Sequence, residues 1–335
     1  MRRARVRLGL AFALGCAAAA SMSPALSQAD TYFVTIAGLG GEPDYEQSFR
    51  RSASELDHAL QGAGHRVYTL TGAHATRAEL TRTLREVAKL AHPDDDFVLT
   101  LIGHGSFDGF TYKMNLIGPD ISAAELGSLC DRIRAKRQLI VDTTSASGGA
   151  VGVLERRGRA VISATKSGTE RNATVFARYW ADALEDPTAD LDKNDAISAL
   201  EAFRYAAAKT AAFYSTQKRL ATEHAVFEDT GRAMPVREAS TEAGEGRLIA
   251  NFTLVRLGPA AAEEGAAGAT QSGSPAAAAK RALLARKERL EQRIDVLKYQ
   301  RAALPPDEYK RQITQALVEL AKVQEALDKG AGGAR

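Results

Sequence analysis

From Asp30 to about Gly258 the chain alternates short, strongly apolar runs with amphipathic stretches of helical period, and few architectures accommodate that alternation. The runs TYFVTIA, HRVYTL, DDFVLTLI, KRQLIVD and RAVISA are rich in β-branched and aromatic residues. Most lack a polar alternate face, as strands buried on both sides do. Between them, SFRRSASELDHALQGAG, ATRAELTRTLREVAKLAH and AAELGSLCDRIRA repeat apolar residues at three- and four-residue spacing. Helices between buried strands demand parallel crossovers, so the pattern predicts an α/β three-layer sandwich with a mostly parallel central sheet. NATVFARYWADALED and ISALEAFRYAAAKTAAFYSTQ predict two further helices, and RLIANFTLVRL a last strand.

The ends of the chain read differently. Residues 1–29 have a basic start (MRRARVR), a short apolar run and a small-x-small ending before Asp30, the pattern of a cleaved signal peptide. The run is too short to span a bilayer, so the expected product is periplasmic or secreted, with no transmembrane segment. Lipid attachment at Cys16 is the alternative, although Ala13 and Leu14 sit poorly for it. Residues 259–279 are a small-residue linker. In residues 280–328, Leu283, Leu290, Leu297 and Leu304 recur every seven residues, then Pro305-Pro306 breaks the helix. Tyr309, Ile313, Leu317, Leu320 and Leu327 form a second stripe. These stripes predict an antiparallel helical hairpin, or coiled coil, that packs on itself, on its own domain or on a partner helix. A separable hairpin predicts that truncation after Gly258 leaves the melting transition unchanged and abolishes any self-association.

Charge narrows the partners. Cleavage removes Arg2, Arg3, Arg5 and Arg7 and no acid, so 44 bases become 40 against 41 acids. That balance gives no footprint for nucleic acid. Cleavage also leaves Cys130 as the sole cysteine, which excludes an internal disulfide; its helical setting predicts a buried structural thiol.

Ligands of open parallel sheets meet the carboxyl ends of the strands. Two such ends carry unusual residues. LTLIGHGS places His104 between two glycines, and LIVDTTSASGGA follows a buried strand with Asp142, several hydroxyls and Ser147-Gly148-Gly149. Taken alone, the first is a histidine satisfied by loop carbonyls and the second a small-residue turn.

In sequence order, the two loops resemble the legumain branch of the caspase/legumain cysteine peptidases, where an H-G step follows one strand and a C-x-S-G step the next. The resemblance spans most of residues 31–258, including AVISATKSGTERN, DLDKNDAISALEAFRYA and ATEHAVFEDTG. It implies a caspase-like sandwich, His104 as the catalytic histidine and the Gly105 amide as oxyanion donor. Ser145 falls where the nucleophilic cysteine belongs. A serine hydroxyl does not ionise near neutral pH and needs a base in direct contact, itself oriented by an acid. Asp108 and Asp142 are the candidate acids. The readings left open are a degenerate peptidase homologue that binds or scaffolds a protein or peptide in its cleft, a serine-type peptidase or hydrolase using Ser145 and His104, and a rearranged nucleophile such as Thr144. The resemblance also places the substrate pocket near the loop after SATKSG, making Glu170 and Arg171 candidates for substrate binding, with Arg50 or Arg51 from the first helix.

No cofactor is expected, with one exception to weigh. Asp190, Asp192, Asn194, Ser198 and Glu201 match calcium-loop positions one, three, five, nine and twelve, although Asp195 stands at the glycine position. The competing reading is a polar loop that caps the following helix.

Overall fold

The computed structural model describes residues 30–257 apart from positions 64 and 241, then positions 283, 286, 287, 289, 290, 293, 294, 296–298 and 301, and residues 304–332. The expected signal peptide and the linker at 259–279 lie outside these. Among the described residues, no helix is long and apolar enough to cross a membrane.

In chain order the elements are β1 (Thr31–Ala37), α1 (Pro43–Gly62), β2 (Arg66–Leu70), α2 (Arg77–Leu90) and β3 (Asp96–Ile102). A small antiparallel unit follows, β4 (Gly105–Phe107), β5 (Tyr112–Met114) and β6 (Ile121–Ser122). Next come α3 (Ala123–Cys130), β7 (Arg137–Asp142), α4 (Val151–Leu154), β8 (Arg159–Ser163) and α5 (Phe176–Ala183). The domain closes with β9 (Ala196–Ser198), α6 (Ala199–Thr216), β10 (Val226–Glu228), α7 (Arg247–Ala250) and β11 (Thr253–Arg256). The main sheet has the order β10-β8-β7-β3-β1-β2, parallel except for β10.

Successive residues of the central strands feed opposite cores. Phe33, Val98, Leu139 and Ile162 pack toward α1, α5 and α6, while Val34, Leu99, Ile140 and Val161 pack toward α2, α3 and α4. Burial on both faces explains why these strands read as unbroken apolar runs, and it gives the α/β three-layer architecture. Cys130 is fully buried on the second face, and burial pushes its thiol up to about 12, which makes it inert.

The last predicted strand is corrected. Arg247–Ala250 is helical because the Asp229 carboxylate accepts the amides of Gly246, Leu248 and Ile249. Only Thr253–Arg256 is extended, and it pairs with β9 outside the main sheet.

A final helix, α8 (Pro306–Gly332), starts with a proline in its first turn and carries Asp307 and Glu308 there, as the helix dipole favours. Its Ile313, Ala316, Leu320 and Leu327 pack on Leu290, Ile294 and Leu297, whose backbone is also helical. These helices meet the domain at α1 and α5. Lys287, 3% exposed, sits 2.8 Å from Asp182 Oδ1 and 3.1 Å from Glu55 Oε1.

Candidate functional site

The carboxyl edge of the sheet gathers the two loops singled out in the sequence. After β3, Gly103 adopts a φ of 148°, outside the range of ordinary side chains, and turns the chain so that His104 leaves the sheet. The His104 ring meets Tyr45 and Phe49 of α1 edge-on, at 4.8 and 5.1 Å between centroids, and bonds to the Gly40 backbone. Burial against these rings holds its pKa below the usual histidine value, partly offset by the Gly40 bond and the Glu42 charge.

After β7, Ser145 is 2% exposed, and its hydroxyl is held twice by one residue. The Oγ accepts from the Gly105 amide at 3.0 Å and donates to the Gly105 carbonyl at 3.1 Å. The amide that the resemblance makes an oxyanion donor is therefore engaged by the serine itself. Among the described residues, no hydrogen bond joins the His104 ring to Ser145. The following residue, Ala146, is left-handed at φ 58°, a conformation that costs an alanine about 1 kcal/mol. Its amide is tied to the Glu170 carbonyl at 2.7 Å.

Neither candidate acid stands behind the His104 ring. Asp108 Oδ1 accepts the amides of Thr111 and Phe110, which lower its pKa. Asp142 is fully buried beneath Thr144, whose amide and hydroxyl donate to its Oδ1 at 3.1 and 2.8 Å. Burial pushes Asp142 up to about 6, with the Thr144 bonds and Tyr112 opposing. The Thr144 hydroxyl also lies 2.6 Å from that of Tyr112, so it is enclosed in this network rather than presented to solvent.

The substrate-binding candidates are dispersed. Glu170 accepts the amides of Lys166 and His224, and its Oε1 lies 2.5 Å from His224 Nδ1, which makes it a strut between the β8–α5 loop and the approach to β10. Arg50 is exposed and paired with Glu46 one helical turn away. Arg171 donates to the Phe107 carbonyl. Arg51 borders a small gap between α1 and the C-terminal helices.

The calcium-loop candidates do converge. Asp190, Asp192 and Glu201 place carboxylate oxygens within 4.8 Å of one another. Those oxygens already accept hydrogen bonds from the loop. Asp190 takes the amides of Asn194 and Asp195, and Glu201 those of Leu191, Asp192 and Ser198. Ser198 and Glu201 form a capping box at the start of α6. Asp195 is left-handed at φ 59°, where the glycine of a calcium loop would sit.

Sequence reasoning missed the cavity beside these loops. It encloses about 400 Å³ between α1, Ile102, Gly103, Thr143, the 172–175 loop and the end of α6. Arg178, Arg219 and Lys298 line it, and Lys298 comes from the C-terminal helices. Three cations from segments 41 to 120 residues apart leave no local motif; the sequence marked the helices that carry Arg178 and Lys298, not that they meet at one cavity.

No family model matches the sequence, and no curated protein matches it. Solved structures similar to this one include the initiator caspase Dronc of Drosophila, at 11% identity and TM-score 0.44, covering 60% of this chain and 80% of that one. Caspase-1 from Spodoptera frugiperda is similar at 11% identity and TM-score 0.44, over 60% and 87%. The protein GSU0716 from Geobacter sulfurreducens is similar at 13% identity and TM-score 0.44, over 69% and 99%. At such identities and scores the likeness carries nothing about activity.

Proposed function

We propose that this chain is a degenerate homologue of the caspase/legumain-like peptidases, exported to the periplasm or beyond, that holds a protein or peptide in its cleft instead of cleaving it. One observation carries the reading: the Ser145 hydroxyl is closed to solvent and bonded at both its donor and acceptor sides to Gly105. A nucleophilic serine needs a base in contact and an acid behind it. Here the His104 ring is engaged with Gly40 and packed on Tyr45 and Phe49, and both candidate acids are committed elsewhere. The alternative, a serine-type hydrolase, would require Ser145 to leave Gly105 and rotate toward the imidazole.

Treating purified protein with a fluorophosphonate probe and with peptide substrates of the legumain and caspase types tests the choice. The expected result is no labelling and no turnover. Turnover that disappears in both Ser145→Ala and His104→Ala would install the hydrolase reading instead.

A further inference from the structure

Three ionisable side chains from three helices converge where the C-terminal helices meet the domain. Glu55 comes from α1, Asp182 from α5, and Lys287 from the helical segment that packs on α8. All three are closed to solvent, and the residues beside them in each helix are buried and apolar. Ala53 and Leu56 flank Glu55, Ala181 and Ala183 flank Asp182, and Leu290 lies one turn from Lys287.

The lysine is placed unequally between the two acids. Its Nζ donates to Asp182 Oδ1 at 2.8 Å. Glu55 Oε1 is 3.1 Å away, and among the described residues neither Glu55 oxygen is in an aligned hydrogen bond. The Asp182 carboxyl carbon is one bond beyond Oδ1. Amine and carboxyl therefore stand near the roughly 3–3.5 Å at which reacting atoms are poised. Burial raises the pKa of Glu55, the Lys287 charge opposing and the Asp182 charge reinforcing, which suits that carboxyl to carrying a proton.

We propose that Lys287 and Asp182 condense to an intramolecular amide, with Glu55 as the proton carrier, so that the C-terminal helices are joined covalently to the domain. Glu55 relays two protons in turn from Nζ to one Asp182 oxygen. After the first, the Nζ lone pair adds to Asp182 Cγ; after the second, the C–O bond breaks and that oxygen leaves as water. Lys287 loses two hydrogens, Asp182 loses one oxygen, and the two opposite charges cancel. The step needs no oxidant or reductant.

The setting favours the product. Ionised groups are costly in a dry site, and a neutral amide removes the charge of the reacting pair. Holding the partners together replaces a bimolecular encounter. Until the bond forms, the cluster is a buried ion pair whose charges weigh on the fold. Asp182 and Lys287 are 105 residues apart, so the bond closes a long loop and restrains the unfolded chain. Cys130 is the one cysteine among the described residues, buried and free, so no disulfide there supplies such a restraint.

The test uses the full chain with a protease site placed in the 259–279 linker, incubated at neutral pH and then denatured. Its mass should be lower by one water than the purified sequence requires. After the linker is cut, the C-terminal segment should stay with the domain on a denaturing gel. Fragmentation of a digest should give a branched peptide joining the Asp182 and Lys287 segments. Lys287→Arg retains the positive charge, and it should keep its full mass and release the C-terminal segment. Glu55→Gln should form the bond about a hundredfold more slowly. A parent of full mass whose C-terminal segment separates overturns the inference. So does a water loss that persists in Lys287→Arg, which marks a cyclised aspartate elsewhere in the chain. A branch at Glu55, or an unchanged rate in Glu55→Gln, overturns the roles assigned to the two acids.

Discussion

At Gly105 a Cβ would lie 2.6 Å from the Thr144 hydroxyl and 2.7 Å from the Tyr112 ring, and it would press on the Ser145 carbonyl as well. That closeness is what lets the Gly105 backbone reach both sides of the Ser145 hydroxyl. The neighbouring ionisable residues are tuned by burial rather than by one another. Glu223, enclosed behind Tyr214, is pushed up to about 7 from 4.5, chiefly by desolvation, with the Val175 amide and the Tyr214 hydroxyl opposing. The sign follows from proton counting. Between about pH 4.5 and 7 the folded state holds a proton that the unfolded chain has lost, so stability falls as pH rises through that window. The cost of ionising Glu223 reaches about 3 kcal/mol above it. His104, with its lowered pKa, acts in the opposite direction, because the unfolded chain takes up its proton first as pH falls. The two are separated by substitution: Glu223→Gln should be more stable than the parent at pH 8 and roughly equal to it at pH 4. Urea unfolding at both values measures this, and a difference independent of pH would show that Glu223 has the same pKa in the folded and unfolded chain.

At the scale of elements, the contact between the C-terminal helices and α1–α5 turns on a buried lysine. Lys287 has lost its water and gained Asp182 and Glu55, the second as an ion pair without aligned hydrogen-bond geometry. Burial raises the pKa of Glu55, with the Lys287 charge opposing. Buried pairs of this kind add little net stability over apolar replacements, but removing one partner leaves the others uncompensated. Lys287→Met alone should therefore cost about 3 kcal/mol. Adding Glu55→Gln and Asp182→Asn should recover most of that loss, because no charge is left buried. Thermal denaturation of the single and triple variants checks it; equal losses in both would mean that the site matters for its packing and not its charge.

For the whole molecule, the docking of these helices revises what truncation should do. A hairpin whose only contacts were internal would leave the domain's melting transition unchanged. The buried Lys287, the Lys298 contact over Tyr45 and the Arg301–Glu42 pair tie it to α1 and α5 instead. Truncation after Gly258 should leave a folded domain whose transition is lower by roughly 5 °C. Scanning calorimetry of the truncated and full chains decides it, and an unchanged transition would return the hairpin to the status of an appendage.

The order of strands and helices was legible because burial on two faces forces apolar runs, and amphipathic spacing marks the helices between them. His104 and Ser145 were legible as a pair of strand ends for the same reason, since a parallel sheet puts such ends on one edge. The heptad leucines marked the stripe that packs on α8. The sequence could not say that the Ser145 hydroxyl turns to Gly105 and not to His104, because that choice depends on a backbone approach of two loops 40 residues apart. Nor could it show that Asp142 serves Thr144, that Glu170 braces His224, or that Arg178, Arg219 and Lys298 share one cavity. Those relations join residues with no common period or motif. They arise only when the helices pack, because tertiary contact alone brings distant side chains within reach of one another and of the charges that shift them.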